Sequence, residues 1–214
     1  MGVREDFDGN YDVVVKKFCR PYDRFFGVGA DAVPKDVGSV CDLGIGSGNF
    51  SVEVAKRILG VEIYGIDMSR DALDNARVKL PDARLYEREF FDGLLPETDY
   101  VISSLATHHF SDDERLARFE QIARNGRGFV NFDMFLMDWN NLDDSIRLIL
   151  DYVRNFVSDN ESLRAVEHEV RTKDNLALLS EQQKLFEGLG MRFDVLASDA
   201  PWAVYHAYWP NRNS

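Results

Sequence analysis

The stretch Val40-Cys41-Asp42-Leu43-Gly44-Ile45-Gly46-Ser47-Gly48-Asn49-Phe50 decides the fold of this chain. It joins a short apolar segment to an amphipathic one, with glycines at alternate positions between them. Because glycine has no Cβ, a turn built from Gly44, Gly46 and Gly48 lets the backbone approach a ligand closely. The stretch therefore predicts a strand, a ligand-binding turn and a helix in succession.

The spacing of these glycines distinguishes two kinds of nucleotide ligand. From Asp42 to Gly48 the pattern is Asp-x-Gly-x-Gly-x-Gly, whereas dinucleotide-binding turns have Gly-x-Gly-x-x-Gly. A dinucleotide presents a pyrophosphate to helix N–H groups, while S-adenosylmethionine has no phosphate and presents an ammonium that a carboxylate can hold. The spacing favours S-adenosylmethionine, with Asp42 as partner of the ammonium through water or by orienting the turn. A nicotinamide- or nucleotide-sugar-dependent enzyme is the alternative.

A second acidic residue follows the next apolar segment. Asp67 comes about 20 residues after the glycine turn, at the place where a carboxylate accepts both ribose hydroxyls. Met68 beside it is predicted to pack on the adenine. The alternative role for Asp67 is in the cap of a helix that begins after Ser69.

The hydrophobic period switches repeatedly between strand-like and helix-like, which predicts a largely parallel sheet covered on both faces. The predicted strands are 38–43, 61–66, 83–88, 99–104, 126–134, 191–197 and 203–208, the last two forming an antiparallel hairpin. The predicted helices are 11–26 with a break at Pro21, 49–59, 69–80, 111–125, 140–157 and 174–188. We predict a single domain over 1–214, with a helical N-terminal cap over 1–37 and a segment over 140–170 that covers the rim of the sheet.

These motifs resemble those of class I S-adenosylmethionine-dependent methyltransferases. The run 40–50 with Gly65-Ile66-Asp67 is similar to the family's cofactor motifs, and Glu89-Phe90 resembles the acid-plus-apolar pair that holds the adenine amine and ring. Ser103-Ser104-Leu105-Ala106-Thr107-His108-His109-Phe110 resembles the segment after the fourth strand, which in many small-molecule members ends in His-His-Phe. Many relatives carry Asp where this chain has Glu89.

The resemblance covers roughly residues 38–208 and implies a fold and a cofactor. The fold is α/β and Rossmann-like, with a mostly parallel seven-stranded sheet, helices on both faces and a C-terminal antiparallel β-hairpin. The cofactor is S-adenosylmethionine. The opening 7–12 also resembles the family's cap, and the chain is similar to stand-alone small methyltransferases, including those akin to the carboxy-adenosylmethionine synthases of transfer-RNA wobble modification.

The motifs and the resemblance together give a set of expected cofactor-binding residues. They are Asp42, Gly44, Ile45, Gly46, Gly48, Asp67, Met68, Glu89, Phe90, Ser104 and Leu105, joined by Arg20 and Tyr22. The last two stand in Cys19-Arg20-Pro21-Tyr22, from which a cap can close over the cofactor. The alternative for that segment is a surface turn.

Three residues are candidates for a catalytic role. His108 and His109 suit a general base, because imidazole titrates near neutrality. In the alternative, one ring lies in the core and the other lines the cleft with no proton role. We favour the alternative, because a sulfonium is already an activated leaving group and alignment supplies much of the rate. Asp133 ends the fifth predicted strand, where ligands bind in open α/β sheets, and is the expected acceptor-side carboxylate.

Charge and composition limit the partners. The net charge of −12 and the pI near 4.8 argue against a nucleic acid, because nucleic-acid affinity depends on clustered Lys and Arg, and favour a small or cationic acceptor. The cysteines Cys19 and Cys41 form no ligand pattern and no disulfide framework, which fits a reducing cytoplasm. We predict no metal site and no membrane segment. A homodimer is kept as an alternative to a monomer.

The predicted activity is methyl transfer to a nucleophilic oxygen, nitrogen or carbon of a small-molecule acceptor. Two alternatives stay open. One is an enzyme of transfer-RNA modification that uses S-adenosylmethionine or a carboxylated derivative. The other is a non-catalytic partner protein that binds S-adenosylmethionine.

Overall fold

A seven-stranded sheet runs through the computed structural model, which describes residues 15–16, 19–90, 92–138, 141–156, 159–172 and 174–211. The strands are β1 (Ser39–Leu43), β2 (Glu62–Asp67), β3 (Arg84–Glu87), β4 (Tyr100–Ser104), β5 (Gly128–Met134), β6 (Arg192–Asp199) and β7 (Trp202–Tyr208). Their order in the sheet is β3-β2-β1-β4-β5-β7-β6. The strand sequence therefore starts in the middle of the sheet, builds one edge with β3, crosses to the other side, forms the far edge with β6 and returns with β7 between β5 and β6.

Strand direction divides the sheet into two parts. The strands β1 to β5 are parallel, while β7 is antiparallel to β5 and β6 is antiparallel to β7. The central strands β1, β4 and β5 are almost wholly buried, as continuous apolar runs in a sheet covered on both faces require. The predicted fold, a mostly parallel seven-stranded sheet with a C-terminal antiparallel hairpin, is confirmed.

Helices cover both faces of the sheet. They are α1 (Tyr22–Ala32), α2 (Asn49–Ala55), α3 (Arg70–Lys79), α4 (Asp112–Asn125), α5 (Leu142–Val153), α6 (Asn160–Thr172) and α7 (Leu179–Gly188), with a short 3₁₀ helix over Thr107–His109. Ser69 caps α3 as predicted, because its hydroxyl accepts a hydrogen bond from the Ala72 N–H at 3.2 Å.

Some predicted helix boundaries are wrong. The helix predicted over 174–188 begins only at Leu179, because Leu178 forms an isolated parallel bridge with Leu136 beyond the end of β5. The helix predicted over 49–59 ends at Ala55. The rim segment contains a separate helix, α6, that was not predicted. Part of the helix expected over 11–26, and residues 1–14 of the expected cap, lie outside the described residues, and the single domain over 1–214 stays a prediction.

Two apolar layers hold the sheet between them. Side chains alternate along each strand, so Val130 and Phe132 of β5 pack in one layer while Phe129 packs in the other. Phe25 of α1 and Phe186 of α7 are fully buried, one in each layer, and a fully buried side chain of this size contributes about 1.5–3 kcal/mol. Within the described ranges, no helix combines the length and apolar character that crossing a bilayer requires.

Candidate cofactor and acceptor site

The glycine turn lies between β1 and α2, at the carboxyl edge of the parallel strands. Gly44, Gly46 and Gly48 have φ of +71°, +55° and +83°, which L side chains rarely adopt. A Cβ on Gly44 would also lie 2.6 Å from Ala106 Cβ and 3.1 Å from Phe90 Cζ. The turn therefore requires glycine at position 44 for both backbone and space.

Backbone hydrogen bonds fix the turn against the end of β2. The N–H groups of Gly44 and Ile45 both donate to the Ile66 carbonyl, at 2.9 and 3.1 Å. The Gly46 N–H donates to Asp67 Oδ2 at 2.9 Å. The residue that ends the second strand thus holds the turn that follows the first.

Asp67 has a second bond that leads into α3. Its Oδ1 accepts a hydrogen bond from the Ser69 N–H at 2.9 Å. The side chain is 7% exposed and lies on the wall of the cavity next to the turn. The helix-cap alternative is therefore realised, and the same carboxylate lies on the wall of the cavity where the cofactor is predicted to bind.

The cavity above the turn brings together side chains from the ends of β1, β2, β3 and β4. The expected residues on its wall are Tyr22, Gly44, Ile45, Gly46, Asp67, Met68, Glu89, Phe90, Ser104, Leu105 and His109. These residues meet because the carboxyl ends of parallel strands share one edge of the sheet. The structure places these residues around one cavity. Their roles in ligand binding stay predictions.

Asp42 lies beneath the turn and not on the cavity wall. It is fully buried, and its Oδ2 accepts a hydrogen bond from Ser51 Oγ at 2.6 Å, while its Oδ1 has no hydrogen-bond partner among the described residues. Burial raises the pKa of Asp42 to about 7, against the opposing effect of the Ser51 bond. Asp42 is therefore not placed to contact a ligand in the cavity directly. The predicted alternative, that Asp42 orients the turn, agrees with its position. Gly48 likewise serves as the N-cap residue of α2 and lies off the wall.

Arg20 is also placed away from the cavity. Its guanidinium forms an ion pair with Asp199 at the end of β6, with Nε 2.8 Å from Oδ2 and Nη2 in contact with Oδ1. The Arg20 side chain is 54% exposed. The expectation that Arg20 lies with Tyr22 over the cofactor is wrong for this structure, because a carboxylate at the opposite sheet edge holds it. The surface-turn alternative describes Arg20.

Asp133 does not face the mouth of the sheet, so that expectation is wrong. It is fully buried, and all its hydrogen bonds are directed at the 3₁₀ helix and its own strand. Oδ1 lies 2.5 Å from His108 Nδ1 and accepts the Met134 N–H at 2.9 Å, while Oδ2 accepts Thr107 Oγ1–H at 2.7 Å and the His108 N–H at 3.1 Å. Burial alone would raise the pKa of Asp133, but His108 and these donors lower it below its usual value.

The two neighbouring histidines have different environments. His108 is buried against Asp133, whereas His109 lines the cavity and keeps 38% of its side chain exposed. The ring centroids are 4.1 Å apart. The imidazole that an acceptor would meet is therefore that of His109, with His108 behind it.

Several wall residues were not predicted from the sequence. Asn49 Nδ2 donates to the Tyr22 hydroxyl at 3.0 Å, which joins α2 to α1 across the cavity. Glu114 and Arg118, one turn apart on α4, form an ion pair at 2.6 Å on the opposite side. The position of Asn49 directly after the glycine turn is a signal that could have identified it, and the i, i+4 spacing of Glu114 and Arg118 is another.

The residues on this wall fit S-adenosylmethionine. Asp67 offers a carboxylate beside the turn for ribose hydroxyls, and Ile45, Phe90 and Leu105 offer apolar surface for a purine ring. At Gly46, where a Cβ would have no neighbour nearer than 3.9 Å, the backbone is open to a ligand. No phosphate-binding pattern of glycines accompanies them in the sequence.

The fold is that of class I S-adenosylmethionine-dependent methyltransferases, a class whose cofactor is S-adenosylmethionine. More specifically, residues 40–127 match the model of a family described as a methyltransferase domain. The match begins in β1, includes the glycine turn, Asp67 and the two histidines, and ends just before β5. Among proteins of curated function, none has a sequence that matches this chain.

Solved structures share the fold at low sequence identity. The plantazolicin methyltransferase BpumL in complex with SAH has a TM-score of 0.68 and 15% identity, over 95% of this chain and 91% of that one. Human N-acetylserotonin methyltransferase in complex with SAM has a TM-score of 0.61 and 20% identity, over 86% of this chain and 50% of that one. The mitomycin 7-O-methyltransferase MmcR has a TM-score of 0.63 and 16% identity, over 87% and 53%. This chain thus spans about half the length of several structures that it matches.

Proposed function

We propose that this chain transfers the methyl group of S-adenosylmethionine to a nucleophilic oxygen, nitrogen or carbon of a small-molecule acceptor. The observation that carries the proposal is one shared cavity. Asp67 and Phe90, on the expected cofactor side, border the same space as His109 and Arg118. An acceptor that enters beside the cofactor would meet the second pair.

Charge and neighbours support the acceptor class. The chain has a net charge of −12, and carboxylates of Asp67, Glu89 and Glu114 line the cavity with the single guanidinium of Arg118 among its described wall residues. Such a wall disfavours a polyanionic acceptor. Two structural neighbours, N-acetylserotonin methyltransferase and mitomycin 7-O-methyltransferase, are named for small-molecule acceptors of their own.

The chain's contribution to the reaction is alignment. S-adenosylmethionine supplies a methyl group already activated by a sulfonium. Asp67 and the turn would hold the sugar and amino-acid ends, and Phe90 the ring, so that an acceptor near His109 lies in line with the methyl group. Holding two reactants in line is worth about 7–11 kcal/mol of barrier in favourable cases, which is enough to dominate the rate.

His109 is the residue most suited to contact the acceptor. It is the described histidine on the cavity wall, and its ring packs on that of His108, which Asp133 holds in place. An acceptor hydroxyl or ammonium that loses its proton during attack can donate it to an imidazole or to water.

The test is methyl transfer with an isotopically labelled methyl donor. The full chain is incubated with labelled S-adenosylmethionine and separate panels of phenols, amines, thiols, carboxylic acids and transfer RNA, and products are detected by mass spectrometry. We expect label in a small-molecule panel and none in the RNA panel. Label in transfer RNA would replace the proposal with the RNA-modifying alternative. Tight binding of the cofactor without transfer to any panel would favour the non-catalytic partner protein.

A further inference from the structure

The 3₁₀ helix brings two histidines against a carboxylate from a distant part of the chain. His108 Nε2 and His109 Nδ1 each lie 3.6 Å from Asp174 Oδ1. The ligating atoms that these three residues offer lie within 4.8 Å of one another. Asp174 follows α6 and is 65 residues beyond His109, so the sequence gives no local sign of the cluster.

The ring of His108 is oriented as in a metal-binding histidine. Its Nδ1 lies 2.5 Å from the buried carboxylate of Asp133, so that Nε2 is the nitrogen directed at Asp174. Histidines that bind metals almost always place their other ring nitrogen against a carboxylate or carbonyl in this way. When His108 is neutral and donates its Nδ1 proton to Asp133, Nε2 has a lone pair for a ligand.

Asp174 is held in place by its neighbour. The Asn175 N–H donates to the His108 carbonyl at 2.6 Å, and the Asn175 carbonyl accepts a hydrogen bond from Arg115 Nη2, also at 2.6 Å. Arg115 is a buried residue of α4 and also donates to the Phe110 carbonyl at 2.9 Å. The segment that carries Asp174 is therefore attached to the histidine turn through the Asn175 backbone and the buried Arg115 side chain.

Charge and spacing favour a cation in this cluster. The Asp133 and Asp174 side chains are 0% and 4% exposed, so a cation held between Asp174 and the histidines would be shielded from solvent, which strengthens its attraction to the carboxylates. The separations of 3.6 Å are longer than hydrogen bonds. Ligands of a tetrahedral ion with bonds of about 2.0–2.1 Å lie about 3.3–3.5 Å apart, which is close to this spacing.

We propose that His108, His109 and Asp174 bind one divalent metal ion of the zinc class. The ligands are His108 Nε2, His109 Nδ1 and the Asp174 carboxylate, and Asp133 is the positioning residue behind His108. Two imidazoles in a set of three select a transition metal over magnesium or calcium. Three protein ligands leave a fourth position for water or substrate, as in catalytic zinc sites.

The site borders the cavity through His109. A hydroxyl or thiol of the acceptor that reached the ion would lose its proton more readily, because a bound metal lowers the pKa of its ligands. This role in the reaction depends on the proposed function. Metal binding itself does not, so the experiment that tests it uses no acceptor.

The test is a titration of the full chain after dialysis against a chelator. Zinc chloride is added in a calorimeter, and cobalt chloride in a spectrophotometer, where the visible bands report coordination geometry. We expect one zinc ion per chain and the spectrum of four-coordinate cobalt. We expect Asp174→Asn and His109→Gln each to abolish or severely weaken binding, and Asp133→Asn to weaken it by about 10–100-fold.

Matched controls separate ligation from general damage. His168→Gln and Asp113→Asn remove an exposed histidine and an exposed aspartate outside the cluster, and both should bind zinc as the unmodified chain does. Binding of the demethylated cofactor by Asp174→Asn and His109→Gln shows that each variant is folded. The proposal is overturned if the unmodified chain takes up no zinc, or if folded Asp174→Asn and His109→Gln bind zinc with unchanged affinity. Because neither titration contains an acceptor, these results are independent of whether methyl transfer is found.

Discussion

Asp67 accepts a hydrogen bond from the backbone N–H of Gly46, with Oδ2 2.9 Å from the nitrogen. The bond joins the end of β2 to the turn after β1, and the other carboxylate oxygen accepts the Ser69 N–H at 2.9 Å. The residue expected to hold the ribose therefore also sets the shape of the turn that receives the rest of the cofactor. Removing the Asp67 carboxylate should therefore weaken cofactor binding in two ways, by loss of the ribose contact and by loss of the bond that shapes the turn.

We expect Asp67→Ala to weaken binding of the demethylated cofactor by more than about tenfold. Hydrogen bonds to charged groups contribute about 1.5–3 kcal/mol each, and 1.4 kcal/mol corresponds to a factor of ten in affinity. Isothermal titration calorimetry measures the change. Asp71→Asn, at an exposed position in the first turn of α3, is the control and should leave affinity unchanged. Equal affinity in Asp67→Ala and the control would show that this carboxylate is not at the cofactor.

Gly44→Ala and Gly60→Ala separate backbone strain from loss of space. Both glycines have positive φ, +71° and +78°, but a Cβ at position 44 would meet Ala106 at 2.6 Å while one at position 60 meets nothing within 4 Å. Each substitution should cost about 1–2 kcal/mol for the left-handed backbone. Gly44→Ala should lose about 1–3 kcal/mol more through overlap, and also its affinity for the cofactor. Urea denaturation and calorimetry measure the two effects. If the two variants lose similar stability and Gly44→Ala still binds the cofactor, the turn has space for a Cβ at position 44.

The buried Asp42 should make folding stability fall as pH rises. Burial raises its pKa from 3.8 to about 7, so the folded chain keeps a proton that the unfolded chain releases from about pH 4 upward. The stability difference, Asp42→Asn minus unmodified, should therefore increase by about 4 kcal/mol between pH 4 and pH 7. Asparagine keeps an oxygen for Ser51, 2.6 Å away in the unmodified chain. Urea denaturation across this range provides the measurement, and a difference that does not vary with pH would contradict a protonated Asp42.

His206 should make folding stability rise with pH, opposite to Asp42, over an overlapping range of pH. Burial against Tyr100 lowers the pKa of His206 from 6.5 to about 4, so the unfolded chain binds a proton first as pH falls. Stability associated with neutral His206 is present above pH 6.5 and is lost toward pH 4, by about 3 kcal/mol. His206→Gln should remove this loss, and the exposed His168→Gln should not. In the unmodified chain the Asp42 and His206 effects oppose each other, so each single variant should show a steeper pH dependence than the parent.

The sequence predicts the part of the site that depends on local pattern. The glycine turn follows, and Asp67 ends, a strand whose apolar run is visible in the sequence, and parallel strands bring their carboxyl ends to one edge. Their placement at one end of the sheet follows from the shared direction of these strands. For the same reason the C-terminal hairpin could be predicted from two short strands with a few residues between them.

The rest depends on contacts between distant residues. The helix predicted over 174–188 includes Asp174, but the Asn175 N–H donates to the His108 carbonyl and residues 174–177 lie outside the helix. The direction of the Asp133 side chain also depends on distant contacts. Its place at the end of a strand does not determine which way the side chain points, because Thr107 and His108 bind the carboxylate. Neither contact leaves a periodic signal.

Arg20→Ala tests whether the N-terminal segment closes over the cofactor. Arg20 and Tyr22 were expected to act together, yet Tyr22 lines the cavity while Arg20 pairs with Asp199. Exposed ion pairs contribute about 0–1 kcal/mol, so Arg20→Ala should change cofactor affinity by less than about twofold. Tyr22→Phe, which removes the hydroxyl that accepts the Asn49 bond at 3.0 Å, should weaken it more. Calorimetry with the demethylated cofactor compares the two variants. A loss of tenfold or more in Arg20→Ala would mean that Arg20 leaves Asp199 when the cofactor binds, since no contact of Arg20 in the described part of the chain would otherwise connect it to the cavity.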